Sequence, residues 1–188
     1  MEDKKEETII KTTLAGVLKV MRPTFADERG FFHEIFRLND LEKELGHEFK
    51  IVQANHSRSN RGVLRGIHRA TWNKLVTAVA GKVQQVVVDL REDSPTFGKY
   101  ESFVLGEEGP QYSVFVPAGC GNAFMALSDV ADYAYLVDDY WAPGKEIGIQ
   151  AEDIDINVQW FFDVVTLSEK DQKNITLKQA FPHKMLSK

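Results

Sequence analysis

Histidine, lysine, tyrosine and carboxylate side chains can move protons at carbon near neutral pH, and one run of this sequence concentrates such groups. In QANHSRSNRGVLRGIHRATWNK, residues Gln53, Asn55, Arg65, His68 and Lys74 fall within or beside two strand-like segments. Strand alternation turns Arg65 and Ile67 one way and Leu64, Gly66 and His68 the other, unless a bulge at Gly66 breaks the pattern. Read alone, His68 is an ordinary core or surface histidine; the polar company around it makes it a candidate base.

Other chemistries find little support. A jelly-roll metal site needs two or more histidines and a carboxylate at close spacing, and this segment offers only His68, since His56 has no H-x-H partner. No catalytic metal is expected. There is no G-x-S-x-G elbow, and Cys120 has no histidine near it in sequence, so nucleophilic triad chemistry is unsupported. Neither a dinucleotide fingerprint nor a phosphate-cradling loop is present. Acid/base work remains.

The elements that must position these groups are strands. The runs VLKVMRP, FKIVQANHS, GVLRGIH, KLVTAVAG, KVQQVVVDL, YESFVLG, YSVFVPAG, NAFMALS and ADYAYLV recur with Gly, Pro, Asn or Asp between them. Such spacing predicts an all-β antiparallel sandwich or barrel. NDLEKELGHE predicts a helix capped by Asn39, with Leu41 and Leu45 on one face and Gly46 ending it. The tail over 161–188 is less regular, though LSEKDQKN could start a short helix with Ser168 as cap and Asp171 in its first turn. Residues 1–8 are charged and poor in apolar side chains, and are expected to fray or to pack on a partner.

At 188 residues the chain fits a single domain spanning 1–188, a size that buries about 70% of the unfolded surface. The formal net charge of -5 argues against a nucleic-acid partner. No stretch approaches the roughly 20 apolar residues that cross a bilayer, so no membrane partner is expected. The single cysteine and the charged start MEDKKEETII, unlike a signal peptide, make the cytoplasm the expected address.

From about Leu14 to Asp171 the chain resembles the dTDP-4-dehydrorhamnose 3,5-epimerase family. The matching stretches are FADERGFFHE, QANHS, GVLRGIH, KLV, VVVDLREDSPTFGKY, VPAG, YWAPGKE and LSEKD, in that order. The resemblance implies a cupin-type jelly roll, activity with no cofactor, and a homodimer. It implies a nucleotide-sugar substrate, a 4-keto-6-deoxyhexose on a nucleoside diphosphate, most often dTDP, inverted at C3, C5 or both.

That chemistry explains the residue types. A C–H beside a ketone becomes acidic only if the enolate is stabilised, so a base, a donor at the carbonyl oxygen and an acid on the opposite face must converge. By similarity His68 is the base and Asp171 bonds its other ring nitrogen, fixing the tautomer. Tyr135 is the proton donor, and Lys74 supplies both a bond to the enolate oxygen and the field that an ordinary phenol needs. Arg29, Glu34, Gln53, Asn55, Arg65, Glu146 and Lys170 fall on ligand-binding positions of the family. Arg29, Arg65 and Lys170 suit the diphosphate. Trp141 falls where an aromatic ring stacks on the base.

Each assignment has a plainer rival: an Arg29–Glu34 ion pair, a core role for Trp141, a capping role for Asp171. The chain also departs from the family pattern. Asn122 in GCGNAF stands where a substrate-touching histidine is usual, and an amide cannot take up a proton near neutrality. The RATWN connection is short, which places Trp72 at the pocket edge, and Leu136 stands where a lysine is common after the tyrosine. An epimerase restricted to one carbon of a different keto sugar, and a sugar-nucleotide binding protein without turnover, are the competing readings. Retention of His68, Tyr135 and Asp171 favours an active enzyme.

Overall fold

The computed structural model describes residues 8–21, 23–106, 111–162 and 166–187. In β5 (Gln53–Asn60) the odd-numbered residues Gln53, Asn55, Ser57 and Ser59 turn inward while those between them face water. This period of two is the mark of a strand with one wet face, and it puts Gln53, Asn55 and Ser57 of QANHS on the inside.

β5 forms one edge of a six-stranded sheet. The order continues through β12 (Val130–Val137), β7 (Lys74–Ala80), β10 (Tyr112–Val116) and β2 (Leu18–Met21) to β1 (Ile9–Lys11). The facing five-stranded sheet runs β13 (Glu146–Gly148), β6 (Leu64–Ala70), β11 (Cys120–Ala126), β8 (Lys82–Asp89) and β9 (Tyr100–Gly106). Every pairing within these sheets is antiparallel, so the expected sandwich is the one observed. Each predicted run contains a strand. FKIVQANHS starts pairing only at Gln53, and the short strands β1 and β13 and the hairpin of β3 (Thr24–Asp27) with β4 (Gly30–His33) were not predicted.

Between the sheets lies the main core, with Val76, Val114 and Tyr133 from one side meeting Val87, Phe103 and Phe124 from the other. The Phe124 and Tyr133 rings stack at 4.1 Å. Full burial of side chains of this size contributes ~1.5–3 kcal/mol each. The five-stranded sheet is covered on its outer face as well: Ile156, Val158, Leu177 and Phe181 lie over Ile67, Val86, Val88 and Leu90. Two-sided burial explains why VVVDL reads as a continuous apolar run rather than an alternating one.

Helix α1 (Leu38–Leu45) covers the six-stranded sheet through Leu41, beside Phe49, Leu75 and Phe115. Its start corrects the sequence expectation. Arg37 is the N-cap residue and Asn39 lies inside the helix, because Leu38 joins the apolar face that packs on the sheet. Gly46 ends it as expected, with φ of 73° and its N–H donated to the Glu42 carbonyl. In the tail, Ser168 Oγ accepts the Asp171 N–H at 3.1 Å as a cap would, and the turn that follows, Asp171–Lys173, is 3-10. Helix α2 (Leu177–Ala180) carries a capping box between Thr176 and Gln179. No helix among the described residues is long and apolar enough to cross a membrane.

Candidate active site

A cavity of about 270 Å³ opens between the sheets, walled by Gln53 and Asn55 of β5, Lys74 of β7, Tyr135 and Val137 of β12, Glu146 of β13, and the loop residues Trp72 and Trp141. Period-two alternation delivers these side chains. Gln53 and Asn55 are two apart on β5 and Tyr135 and Val137 two apart on β12, and register pairs Asn55 with Tyr135 and Gln53 with Val137. The Gln53 amide donates to Asn55 Oδ1 at 2.7 Å and accepts the Trp141 backbone N–H at 3.4 Å, which ties the Trp141 loop to β5.

On β6, the strand that pairs with β13 of the cavity wall, the question left open by alternation is settled by a bulge. Arg65 pairs with Phe124 and His68 with Asn122, so β6 spends one residue more than β11 over this interval. The bulge centres on Gly66, at φ of 118°, where a Cβ would lie 2.6 Å from the Asn122 carbonyl oxygen and 2.7 Å from the Ala123 Cβ. Only glycine fits there. Its consequence is that Arg65 and His68 share the inner face while Ile67 turns out into the outer core. Arg65 Nε reaches Ser59 Oγ of β5 at 3.1 Å, bridging the two sheets. Ala70, two residues past His68, packs with Trp72, Tyr135 and Val137 at the cavity.

His68 Nε2 lies 2.6 Å from Asp171 Oδ1, leaving Nδ1 for other chemistry. Burial alone would raise the Asp171 carboxyl. Bonds from His68, the Gly66 N–H and Ser168 outweigh it and hold Asp171 below the usual carboxylate range. Asn174 Nδ2 adds a longer contact to the same oxygen at 3.4 Å. Burial pushes the Lys74 ammonium down to about 8, with Lys170 adding to the fall and Glu146 opposing it. Glu146 is itself bonded to Lys170 at 3.1 Å.

Tyr135 departs from expectation. Burial, with help from Glu146, raises its phenol above the ordinary value, and the cation that pulls it down is Arg65 rather than Lys74. A neutral phenol is what a proton donor must be before it acts, so the shift keeps the donor loaded. Asn122 faces the interior, where its Oδ1 accepts from Gln85 Nε2 at 2.6 Å and from the Tyr133 hydroxyl at 3.3 Å. Like His68, its register partner, it is not among the cavity walls. Arg29 and Glu34 also stand apart from the cavity, on or beside the β3–β4 hairpin, with Arg29 bonded to Asp27 at 3.1 Å and Glu34 to Arg37 at 2.7 Å.

The cavity wall thus takes in Lys74, Tyr135, Gln53, Asn55, Glu146 and Trp141, with Lys170 bonded to its Glu146. Arg65 and the His68–Asp171 pair lie on or against β6, the strand that pairs with β13. Asn122 stands opposite His68 in the β6–β11 register, and Arg29 and Glu34 lie at the β3–β4 hairpin. Val137 and the Gly66 N–H were missed by sequence reasoning. Alternation from Tyr135 would have found Val137; the Gly66 contact depends on the bulge and leaves no such signal. A larger cavity of about 580 Å³ elsewhere, lined partly by Lys11, Glu44 and Arg91, offers cations that are already paired, Lys11 with Glu44 and Arg91 with Asp89.

Residues 11–179 match the family model for dTDP-4-dehydrorhamnose 3,5-epimerase. The chain belongs to this family. A dTDP-4-dehydrorhamnose 3,5-epimerase of Pseudomonas aeruginosa is 42% identical over 160 residues, 83% of this chain and 88% of that protein. NovW, a 4-keto-6-deoxy sugar epimerase from the novobiocin gene cluster of Streptomyces spheroides, superposes with a TM-score of 0.89 at 33% identity, covering 93% of this chain and 89% of that one. The epimerase of Legionella pneumophila, solved with dTDP-4-keto-L-rhamnose, gives 0.84 at 37% identity over 90% of this chain and 92% of its own. This membership makes the sandwich a cupin-type jelly roll and the protein an isomerase of the epimerase kind.

Proposed function

We propose that the cavity takes a dTDP-linked 4-keto-6-deoxyhexose and that this family member inverts C3 and C5 by proton abstraction and return. The observation that carries the reading is the 2.6 Å pair between His68 of β6 and Asp171 of the tail, with Tyr135 and Lys74 in the cavity wall. His68 Nδ1 takes the proton from the carbon beside the ketone, and the C–H electron pair moves into the enolate. The Lys74 ammonium bonds the enolate oxygen. Tyr135, on the facing sheet, returns a proton from its hydroxyl to the opposite face of the carbon, an enolate being a far stronger base than phenolate. Solvent exchange resets both groups. The balance involves protons alone, so no cofactor is required.

Gln53 and Asn55 suit sugar and phosphate oxygens, Arg65 and Lys170 the diphosphate, Glu146 a sugar hydroxyl, and Trp141, 56% exposed at the mouth, the base. The hairpin supports the inferred homodimer. Phe25, Phe31 and Phe32 are each more than half exposed, on a two-stranded sheet that pairs with neither large sheet among the described residues. Such a hairpin is marginal alone, and a second copy would cover it and bring Arg29 and Glu34 to a cavity that lacks them. The chain over 1–188 is read as a single epimerase domain, and the cytoplasm is the address that fits nucleotide-sugar chemistry.

A second reading, inversion at one carbon only, is favoured by Asn122, which cannot shuttle a proton as histidine does. Incubation with dTDP-4-keto-6-deoxyglucose in D2O separates them. Deuterium at both C3 and C5 supports double inversion and deuterium at one carbon the restricted enzyme; binding without exchange would leave a sugar-nucleotide binding protein. Dimer formation is checked by sedimentation, where Phe32→Ser should shift the protein toward monomer.

A further inference from the structure

The short connection from His68 to Lys74 carries a side chain that the mechanism above does not use. Trp72 is 5% exposed, forms part of the cavity wall and packs against Ala70, Tyr135 and Val137. The Lys74 ammonium lies 5.9 Å from the centre of its ring. Its indole Nε1 is buried with no hydrogen-bond partner among the described residues. Folded proteins rarely leave a buried donor unpaired, because its desolvation is not recovered. The other buried unpaired side-chain nitrogens, His33 Nδ1 and Arg69 Nε, belong to residues outside the cavity wall. Among the described residues, Trp72 alone combines an unpaired donor with a place in the cavity wall.

Its position says which part of a ligand it meets. Trp141, at the exposed mouth, is the base-stacking ring of the reading above, whereas Trp72 is deep and beside Lys74, the group assigned to the ketone oxygen. What lies next to a ketone in a keto sugar is a hydroxyl-bearing carbon, and a hydroxyl oxygen accepts an indole N–H. We propose that Trp72 is a specificity-determining residue whose indole N–H donates to a sugar hydroxyl oxygen adjoining the carbonyl held by Lys74. This rests on the nucleotide-sugar reading of the same cavity.

The test uses the intact protein, Trp72→Phe, and a variant with β-(3-benzothienyl)alanine introduced at Trp72, which replaces the N–H by sulfur while keeping the ring size. Binding of dTDP and of dTDP-xylose is measured by calorimetry, and thermal unfolding is followed without ligand. In both variants dTDP should bind as in the wild type and dTDP-xylose should bind roughly 3- to 10-fold more weakly, the worth of one neutral hydrogen bond. The sulfur variant should unfold no lower than the wild type, since an unpaired donor has been removed. Unchanged dTDP-xylose affinity, equal weakening of both ligands, or a lower unfolding temperature of the sulfur variant would overturn the role. Wild-type protein that binds neither probe would instead remove the nucleotide-sugar reading itself.

Discussion

Asp171 Oδ1 sits 2.6 Å from His68 Nε2, across 103 residues of chain. The same carboxylate takes the Gly66 N–H at 3.4 Å through its other oxygen, so it holds both the base and the bulge that aims the base. Asp171→Asn keeps the shape but offers an amide that can present its N–H to the ring and fix the wrong tautomer. Deuterium exchange in D2O should fall about 10²- to 10⁴-fold, in line with loss of a general base. Because the folded carboxyl lies below its ordinary value near 3.8, its contribution to stability is present above that value and is lost as pH falls through the lowered one. Urea unfolding of wild type and Asp171→Asn should therefore differ at pH 7 and converge in strong acid.

Lys74 gives the opposite sign. Its folded value near 8 lies below the ordinary 10.5, so between these the unfolded chain binds more protons and stability rises with pH. The protonated amine is a burden on the fold at neutral pH, kept for chemistry. Lys74→Met should stabilise the protein by on the order of 2 kcal/mol at pH 7, flatten the rise in stability between pH 8 and 10 seen by urea unfolding, and abolish exchange. Wild-type kcat/KM should decline above about pH 8 as the ammonium is lost. A variant that lost stability would mean that the ammonium is well paired.

The sequence made the sheet-forming runs legible because one-sided burial writes a period of two, as in β5, and two-sided burial writes a continuous run, as in β8. Gln53, Asn55, Lys74, Tyr135 and Glu146 could be assigned by motif and the strands then brought them together. Three things were not legible. The β6 bulge depends on how Gly66 meets Ala123 across the sheet, which no local pattern records. The Asn122 amide oxygen is held by Gln85 and Tyr133 from two other strands, partners that no local pattern names. The phenol of Tyr135 feels Glu146 and Arg65 from other strands, so the neighbour expected to tune it, Lys74, is not the one that does.

Gly66 tests the bulge directly. At φ of 118° any side chain is strained, and a Cβ would press on the backbone of Asn122 and Ala123, which cannot move without shifting β11. Gly66→Ala should cost about 2–4 kcal/mol in urea unfolding, strain and overpacking together. Where the protein still folds, exchange should fall more steeply than for the strain-free Ala70→Gly, because the cost falls on the phase that puts Arg65 and His68 on one face. Equal activity in the two variants would detach the bulge from the chemistry.

Two tyrosines on one face of β12 separate stability from catalysis. Tyr133 is buried, its hydroxyl 2.5 Å from Gln85 Oε1 and 3.3 Å from Asn122 Oδ1, and its ring centre is 6.2 Å from that of Tyr135. Tyr133→Phe leaves the Gln85 oxygen without its donor in a dry interior and should cost about 1–3 kcal/mol, with exchange reduced only a few-fold. Tyr135 lines the cavity, and Tyr135→Phe should leave unfolding within about 0.5 kcal/mol of wild type while nearly eliminating net inversion. The variant retains His68, so wash-out of the substrate proton into D2O with retention of configuration should persist at a reduced rate. If instead Tyr133→Phe lost the inversion and Tyr135→Phe kept it, the proton would come through the buried Gln85–Asn122–Tyr133 network.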